Sequence, residues 1–137
     1  MQLVVSELLT TLSQDIVASS NLNIEAIRPR LLKYGSPAGS LFLRVKDSGG
    51  KLIKQSETIS IASISAANYF HGLVRFYIDL GLREGTTYIV ELGSTGYTYN
   101  SSHWVGWIFD YDMRVVDGPS GAVYQLELWE RKTVTRG

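Results

Sequence analysis

From about Asn21 onward the apolar residues recur at every second position, the period of a strand with one buried face and not of a helix. In 41–46, Leu41, Leu43 and Val45 share one face, while Phe42, Arg44 and Lys46 share the other. Val74, Phe76, Ile78 and Leu80 alternate with Leu73, Arg75, Tyr77 and Asp79, and Tyr88, Val90 and Leu92 alternate with Ile89 and Glu91. The stretch from Trp104 to Val116 reads as one long strand or a bent pair. After it, Tyr124, Leu126 and Leu128 alternate with Gln125, Glu127 and Trp129. Between these runs lie Gly35-Ser36-Pro37-Ala38-Gly39, Asp47-Ser48-Gly49-Gly50, Gly93-Ser94-Thr95-Gly96 and Asp117-Gly118-Pro119-Ser120-Gly121, with the glycine and proline that tight hairpins need. One open sheet would leave the apolar faces of roughly six to nine such strands in water. The pattern therefore predicts an all-β fold, an antiparallel two-sheet β-sandwich that is jelly-roll-like.

Two segments fit the pattern less simply. Val5, Leu8, Leu9 and Leu12 fall at helical spacing, yet Leu3 and Val5 also suit an extended chain, so residues 1–12 are read as an N-terminal arm or first strand. Residues 13–137 are then a single β-sandwich domain, with no internal repeat or linker. The run Ile59 to Asn68 begins as a strand and is expected to finish as a turn of helix capped by Ser63 or Ser65.

Composition narrows the classes of function. The chain has 137 residues, 45% of them apolar, enough to bury a core without disulfides or a structural metal. Thirteen basic residues balance thirteen acidic ones, so no net field favours nucleic acid or an anionic membrane, and neither is expected as a partner. The absence of cysteine excludes thiol nucleophiles, iron-sulfur clusters and Cys-type zinc sites. With two histidines, His71 and His103, a His-rich metal centre is excluded as well, and no cofactor is expected. No basic region followed by an apolar core opens the chain, and no stretch approaches the roughly 18 apolar residues of a helical membrane span.

Charge is balanced in total but not in distribution. Between Arg28 and Lys54 seven basic residues (Arg28, Arg30, Lys33, Arg44, Lys46, Lys51 and Lys54) face one acid, Asp47. Between Glu57 and Glu130 nine acids face three arginines. Arg28 and Arg30 share a strand face, as do Arg44 and Lys46, and together they are candidates for a basic stripe that reads a partner's acidic face. The simpler reading pairs the two segments across the sandwich of one molecule.

The candidates for chemistry are few. Asp110 and Asp112 would project from one strand face about 6–7 Å apart, close to the roughly 6.5–9.5 Å of inverting glycosidases. Any strand with acids two apart shows that spacing, and a solvated face or a calcium ligand pair explains it more simply. No Gly-x-Ser-x-Gly elbow is present, no nucleophile, base and orienting group fall at recognisable spacing, and the chain is expected not to be an enzyme. The most unusual local composition is 96–107, where Tyr97, Tyr99, His103, Trp104 and Trp107 are interleaved with Gly, Ser and Asn. Exposed aromatics on a loop point to contact with a sugar or another protein. Three residues apart, Trp104 and Trp107 fall on opposite strand faces, so at most one is core unless a bulge intervenes.

The run Leu31-Leu32-Lys33-Tyr34-Gly35-Ser36-Pro37-Ala38-Gly39, followed by Leu82-Arg83-Glu84-Gly85-Thr86-Thr87-Tyr88, resembles the jelly-roll modules of tailed-phage virion proteins and of some bacterial surface proteins. The likeness spans Leu12 to Trp129. It implies a non-enzymatic virion protein assembled in the host cytoplasm, foremost a capsid decoration (cement) protein that stabilises the lattice, with a tail or fibre component next. Partners implied are capsid or tail proteins and further copies of the chain in a symmetric homo-oligomer such as a trimer. The alternative is a carbohydrate-binding module in which Tyr97, Tyr99, Trp104 or Trp107 stacks on sugar rings and His103 or Asn100 bonds hydroxyls.

Overall fold

The computed structural model describes residues 3–18, 21–64, 74–110, 115–117 and 126–130. It is a two-sheet β-sandwich. One sheet holds β1 (Leu3–Glu7), β3 (Leu22–Tyr34), β7 (Phe76–Leu82), β9 (Trp104–Asp110), β10 (Val115–Asp117) and β11 (Leu126–Glu130). The other holds β2 (Leu12–Val17), β4 (Ser40–Asp47), β5 (Leu52–Gln55), β6 (Ile59–Ser60) and β8 (Thr87–Thr95). All described pairings are antiparallel except β10 with β11, which run parallel.

The core forms where the inner faces meet. From the five-stranded sheet come Ile16, Leu41, Leu43, Val45, Tyr88, Val90 and Leu92, and from the six-stranded sheet Ile24, Ile27, Leu31, Phe76, Ile78, Val105 and Trp107. Each such side chain contributes on the order of 1.5–3 kcal/mol when fully buried. The outer face of β4 departs from the expected half-exposed pattern at Phe42, which is buried. Its ring lies over Gly93, directly opposite on β8, and the Arg44 guanidinium covers it 4.7 Å from the ring centroid.

Glycine-rich clusters expected as hairpins divide into three kinds. Asp47–Gly50 is the expected hairpin between β4 and β5: Gly50 N–H donates to the Asp47 carbonyl at 2.9 Å, and Asp47 Oδ1 accepts from Gly49 and Lys51 N–H. Gly35–Gly39 instead carries the chain from β3 in one sheet to β4 in the other. Residues 93–95 are strand, because Gly93 serves the Phe42 ring and not a turn. The Asp117–Gly121 cluster lies outside the described residues beyond its first position.

The N-terminal stretch is no free arm. β1 pairs with β9 from Leu3↔Asp110 to Glu7↔Gly106, and Leu8 is fully buried where the chain turns into the opposite sheet. Ile59 begins the short β6, followed by a 3-10 turn at Ile61–Ser63 in which Ser63 Oγ donates to the Ser60 carbonyl at 2.7 Å. Ser65 and the rest of that expected helix turn lie outside the described residues. On β7, Ile78 and Asp79 oppose the single residue Glu25, a bulge with Asp79 at φ 54°. The expected alternation survives this bulge: Phe76, Ile78 and Leu82 are buried and Val74 and Leu80 half-buried, while Arg75, Tyr77 and Asp79 are exposed.

Two buried polar side chains contrast. Ser56 is satisfied, accepting from Leu43 N–H and donating to the Glu57 carbonyl. Gln14 faces the core from β2 with neither amide atom hydrogen-bonded. An orphaned buried amide costs about 1–3 kcal/mol. Gln14→Leu is expected to stabilise the fold by about 1–2 kcal/mol, raising the calorimetric Tm by about 3–6 °C. In the opposite direction, a Cβ at Gly93 would stand 2.7 Å from a Phe42 ring carbon, so Gly93→Ala should lower the Tm in the same measurement.

Candidate functional site

The aromatic loop between β8 and β9 bonds several of its polar atoms to the chain itself, Tyr97 toward the core and the others at the surface. Tyr97 is half-buried against the core, and its hydroxyl donates to the Leu8 carbonyl at 2.7 Å while accepting from Val105 N–H at 3.2 Å. Leu8 N–H in turn donates to the Val105 carbonyl at 2.7 Å. One hydroxyl thus locks the β1–β2 corner to the start of β9. Burial raises the Tyr97 hydroxyl above its ordinary pKa of 10.0, against the bond from Val105 and with help from the Glu7 charge. Tyr99 donates to Glu7 Oε1 at 3.0 Å, and that bond is the main reason its own pKa is raised.

Residues 100–103 form a tight turn. Asn100 and His103 exchange backbone bonds at 3.2 and 3.0 Å, and Asn100 Oδ1 accepts from Ser102 N–H. The Asn100 amide oxygen is therefore engaged within the turn. His103 Nδ1 accepts from Ser36 N–H at 2.9 Å, which requires that nitrogen to carry no proton. Gly35, at φ 71°, lets the 35–39 crossover approach this closely, since a Cβ there would collide with the Ser102 carbonyl and the His103 ring.

The two tryptophans separate as their spacing requires. Trp107 is 1% exposed in the core and is unable to stack on a ligand, so it leaves the set of candidate contacts. Trp104, on the other face of β9, sits directly opposite Tyr34 of β3 and stacks on it, with centroids 5.6 Å apart and planes 25° from parallel. Tyr34 is 55% exposed. The pair forms an aromatic ledge beside the Ser36–His103 clasp. Sequence reading passed over Tyr34; its signal is a tyrosine at a strand end, just before the glycine of the crossover.

The basic candidates do not form one stripe. Arg28 and Arg30 lie on β3, in the six-stranded sheet, with Arg28 half-buried and Arg30 buried. Arg44 and Lys46 lie on β4 in the other sheet, where Glu91 of β8 stands opposite Arg44. Glu91 takes Lys46 Nζ at 3.2 Å and Arg44 at 3.6 Å, and Arg44 Nε donates to Gln55 at 3.0 Å. Here basic and acidic segments pair within one molecule, along a single sheet. Asp112 lies outside the described residues, as does His71. Among the described residues no group of three or more His, Asp or Glu is placed to hold a metal ion, and no helix is long and apolar enough to cross a membrane.

Comparison with protein-family models, with curated proteins and with solved structures returned no match to this chain.

Tyr97→Phe would leave the buried Val105 N–H and Leu8 carbonyl unpartnered on that side and should cost about 1–3 kcal/mol. Because the folded state holds the tyrosine proton more tightly, this contribution is complete below pH 10.0 and is lost as pH rises through the folded pKa. Denaturant titrations at about pH 8 and about pH 11 should therefore show a smaller alkaline loss in Tyr97→Phe than in the wild type.

Proposed function

We propose that the protein is a non-enzymatic assembly part of a tailed-phage virion, foremost a capsid decoration protein. One observation carries this reading: the chemically capable side chains of the aromatic loop are spent as internal fasteners. Tyr97, Tyr99, Asn100 and His103 all bond to the chain itself, leaving a braced scaffold whose open chemistry is an aromatic ledge and apolar sheet edges. Such a surface suits contact with another protein more than turnover. The motifs of the jelly-roll resemblance support it from the sequence side, with Gly35 in the clasp and Gly39 closely packed against Gly96. A part that binds only the assembled lattice stabilises it through mass action.

The Tyr34–Trp104 ledge favours a second reading, stacking on a sugar ring of a host glycan, as a carbohydrate-binding module or a tail or fibre component would do. Both readings place the ledge in contact.

The deciding experiment adds the full chain to undecorated capsids encoded by the same genome and follows co-sedimentation and the particle's melting temperature. Saturable binding that raises the melting temperature, and that Trp104→Ala weakens by about tenfold or more, supports decoration. Failure of the folded wild type to bind capsids, with glycan-array signals lost in Trp104→Ala, replaces it with the sugar reading.

A further inference from the structure

Among the described residues six large apolar side chains are exposed: Leu9, Val17, Tyr34, Leu52, Ile53 and Tyr77. Four of the six lie at the two opposite edges of one sheet. Leu9 and Val17 flank and end β2, and Leu52 and Ile53 open β5. Among the described pairings β2 bonds only to β8 and β5 only to β4, so each strand turns one side of its backbone outward. Open edges carrying apolar residues are templates for further strand pairing, and chains that avoid it place charge or proline there on both faces. Here the two edges carry charges of opposite sign. Residues 9–18 hold one acid, Asp15, and no base, whereas 51–55 hold Lys51 and Lys54 and no acid.

The strand directions select how two copies would meet. β2 is antiparallel to β8, β8 to β4 and β4 to β5, so β2 and β5 run in opposite directions. A second copy set beside β5 in the same orientation therefore presents its β2 antiparallel to β5 and continues the sheet in its existing pattern. Along the rows of paired residues, Asp15 aligns with Ile89, Lys46 and Leu52. Without stagger, Asp15 of the next copy falls beside Leu52 and next to Lys51, while Lys54 lies beyond the extra residue Ile53 with its Nζ on the Asp79 carbonyl. Two-fold contacts of β2 with β2, or of β5 with β5, instead bring like charges together.

The geometry points to head-to-tail self-association, in which the β5 edge of one copy (Lys51–Gln55) pairs with the β2 edge of another (Leu12–Val17). A heterologous contact of this kind generates a closed ring or an open filament, according to the rotation between copies. It requires only that the chain associate with itself, so it stands apart from the lattice and glycan readings, whose tests use capsids and sugars.

The test uses the full chain and analytical ultracentrifugation. Wild type should sediment above dimer mass. Val17→Lys blocks one edge, and Leu52→Asp, which sets a second carboxylate beside Asp15, blocks the other, so each alone should be monomeric. Mixed one to one, they retain a single good junction, the β5 edge of the first with the β2 edge of the second, and should form a dimer that grows no further. Both side chains are about half exposed, 56% and 48%, and circular dichroism verifies that each variant folds. Leu9→Lys and Ile53→Asp replace them if either does not. A wild type that is monomeric at about 0.1 mM, where a micromolar contact is saturated, overturns the inference. So does a single variant that still oligomerises, which would mean a symmetric contact, or a mixture that stays monomeric.

Discussion

Two sheets with one apolar face each must close on one another, and in this chain the closure depends on strands that alternate between them. The polypeptide passes from β1 in one sheet to β2 in the other, back to β3, and again across to β4. Each passage takes a backbone segment around the rim of the core, where its polar groups must still be satisfied. The β1–β2 corner shows how. Leu8 is fully buried, its N–H bonds to Val105, and the Tyr97 hydroxyl bridges the Leu8 carbonyl to Val105 N–H. The rim at β5 and β7 is tied more loosely, by Glu57 N–H to the Tyr77 carbonyl at 3.1 Å and Lys54 Nζ to the Asp79 carbonyl at 3.2 Å.

That bracing changes what the aromatic loop means. A cluster of tyrosine, histidine and asparagine on a loop ordinarily reads as a site, because such side chains bond ligands well. Here they bond to the chain itself, holding the 100–103 turn to the β3–β4 crossover and to the N-terminal corner. Open to solvent among the described residues are the face of Tyr34 stacked on Trp104 and the backbone edges of one sheet.

The charge split takes on a local meaning as well. The excess of basic residues early in the chain and of acids later meets at Glu91, where β8 lies beside β4 and one carboxylate serves both Arg44 and Lys46. Half-exposed pairs of this kind contribute on the order of 0–1 kcal/mol, so their larger effect is on register. They favour the alignment that sets Arg44 opposite Glu91, and the same alignment seats Phe42 over Gly93. An arginine above a ring above a glycine closes that face of the sheet to water.

Much of this was legible in the residues alone. The two-residue period of Leu41, Leu43 and Val45, and of Tyr88, Val90 and Leu92, determines strands with a greasy side, and the three-residue spacing of Trp104 and Trp107 forces them onto opposite faces, because alternation is a local property of extended backbone. The hairpin at Asp47–Gly50 was equally local. Which strand lies beside which was not, since Leu12 pairs with Leu92 and Ser40 with Thr95 across long stretches of chain that carry no signal of their partners. Nor did the sequence tell a turn glycine from one that makes room: Gly93 is a strand residue because Phe42 needs its missing side chain, and Gly35 permits a clasp with His103. The stacking of Tyr34 on Trp104, the orphaned amide of Gln14 and the opposite character of the β2 and β5 edges were decided only when the chain folded. Each depends on residues distant in sequence, or on an edge that exists only once a sheet is assembled.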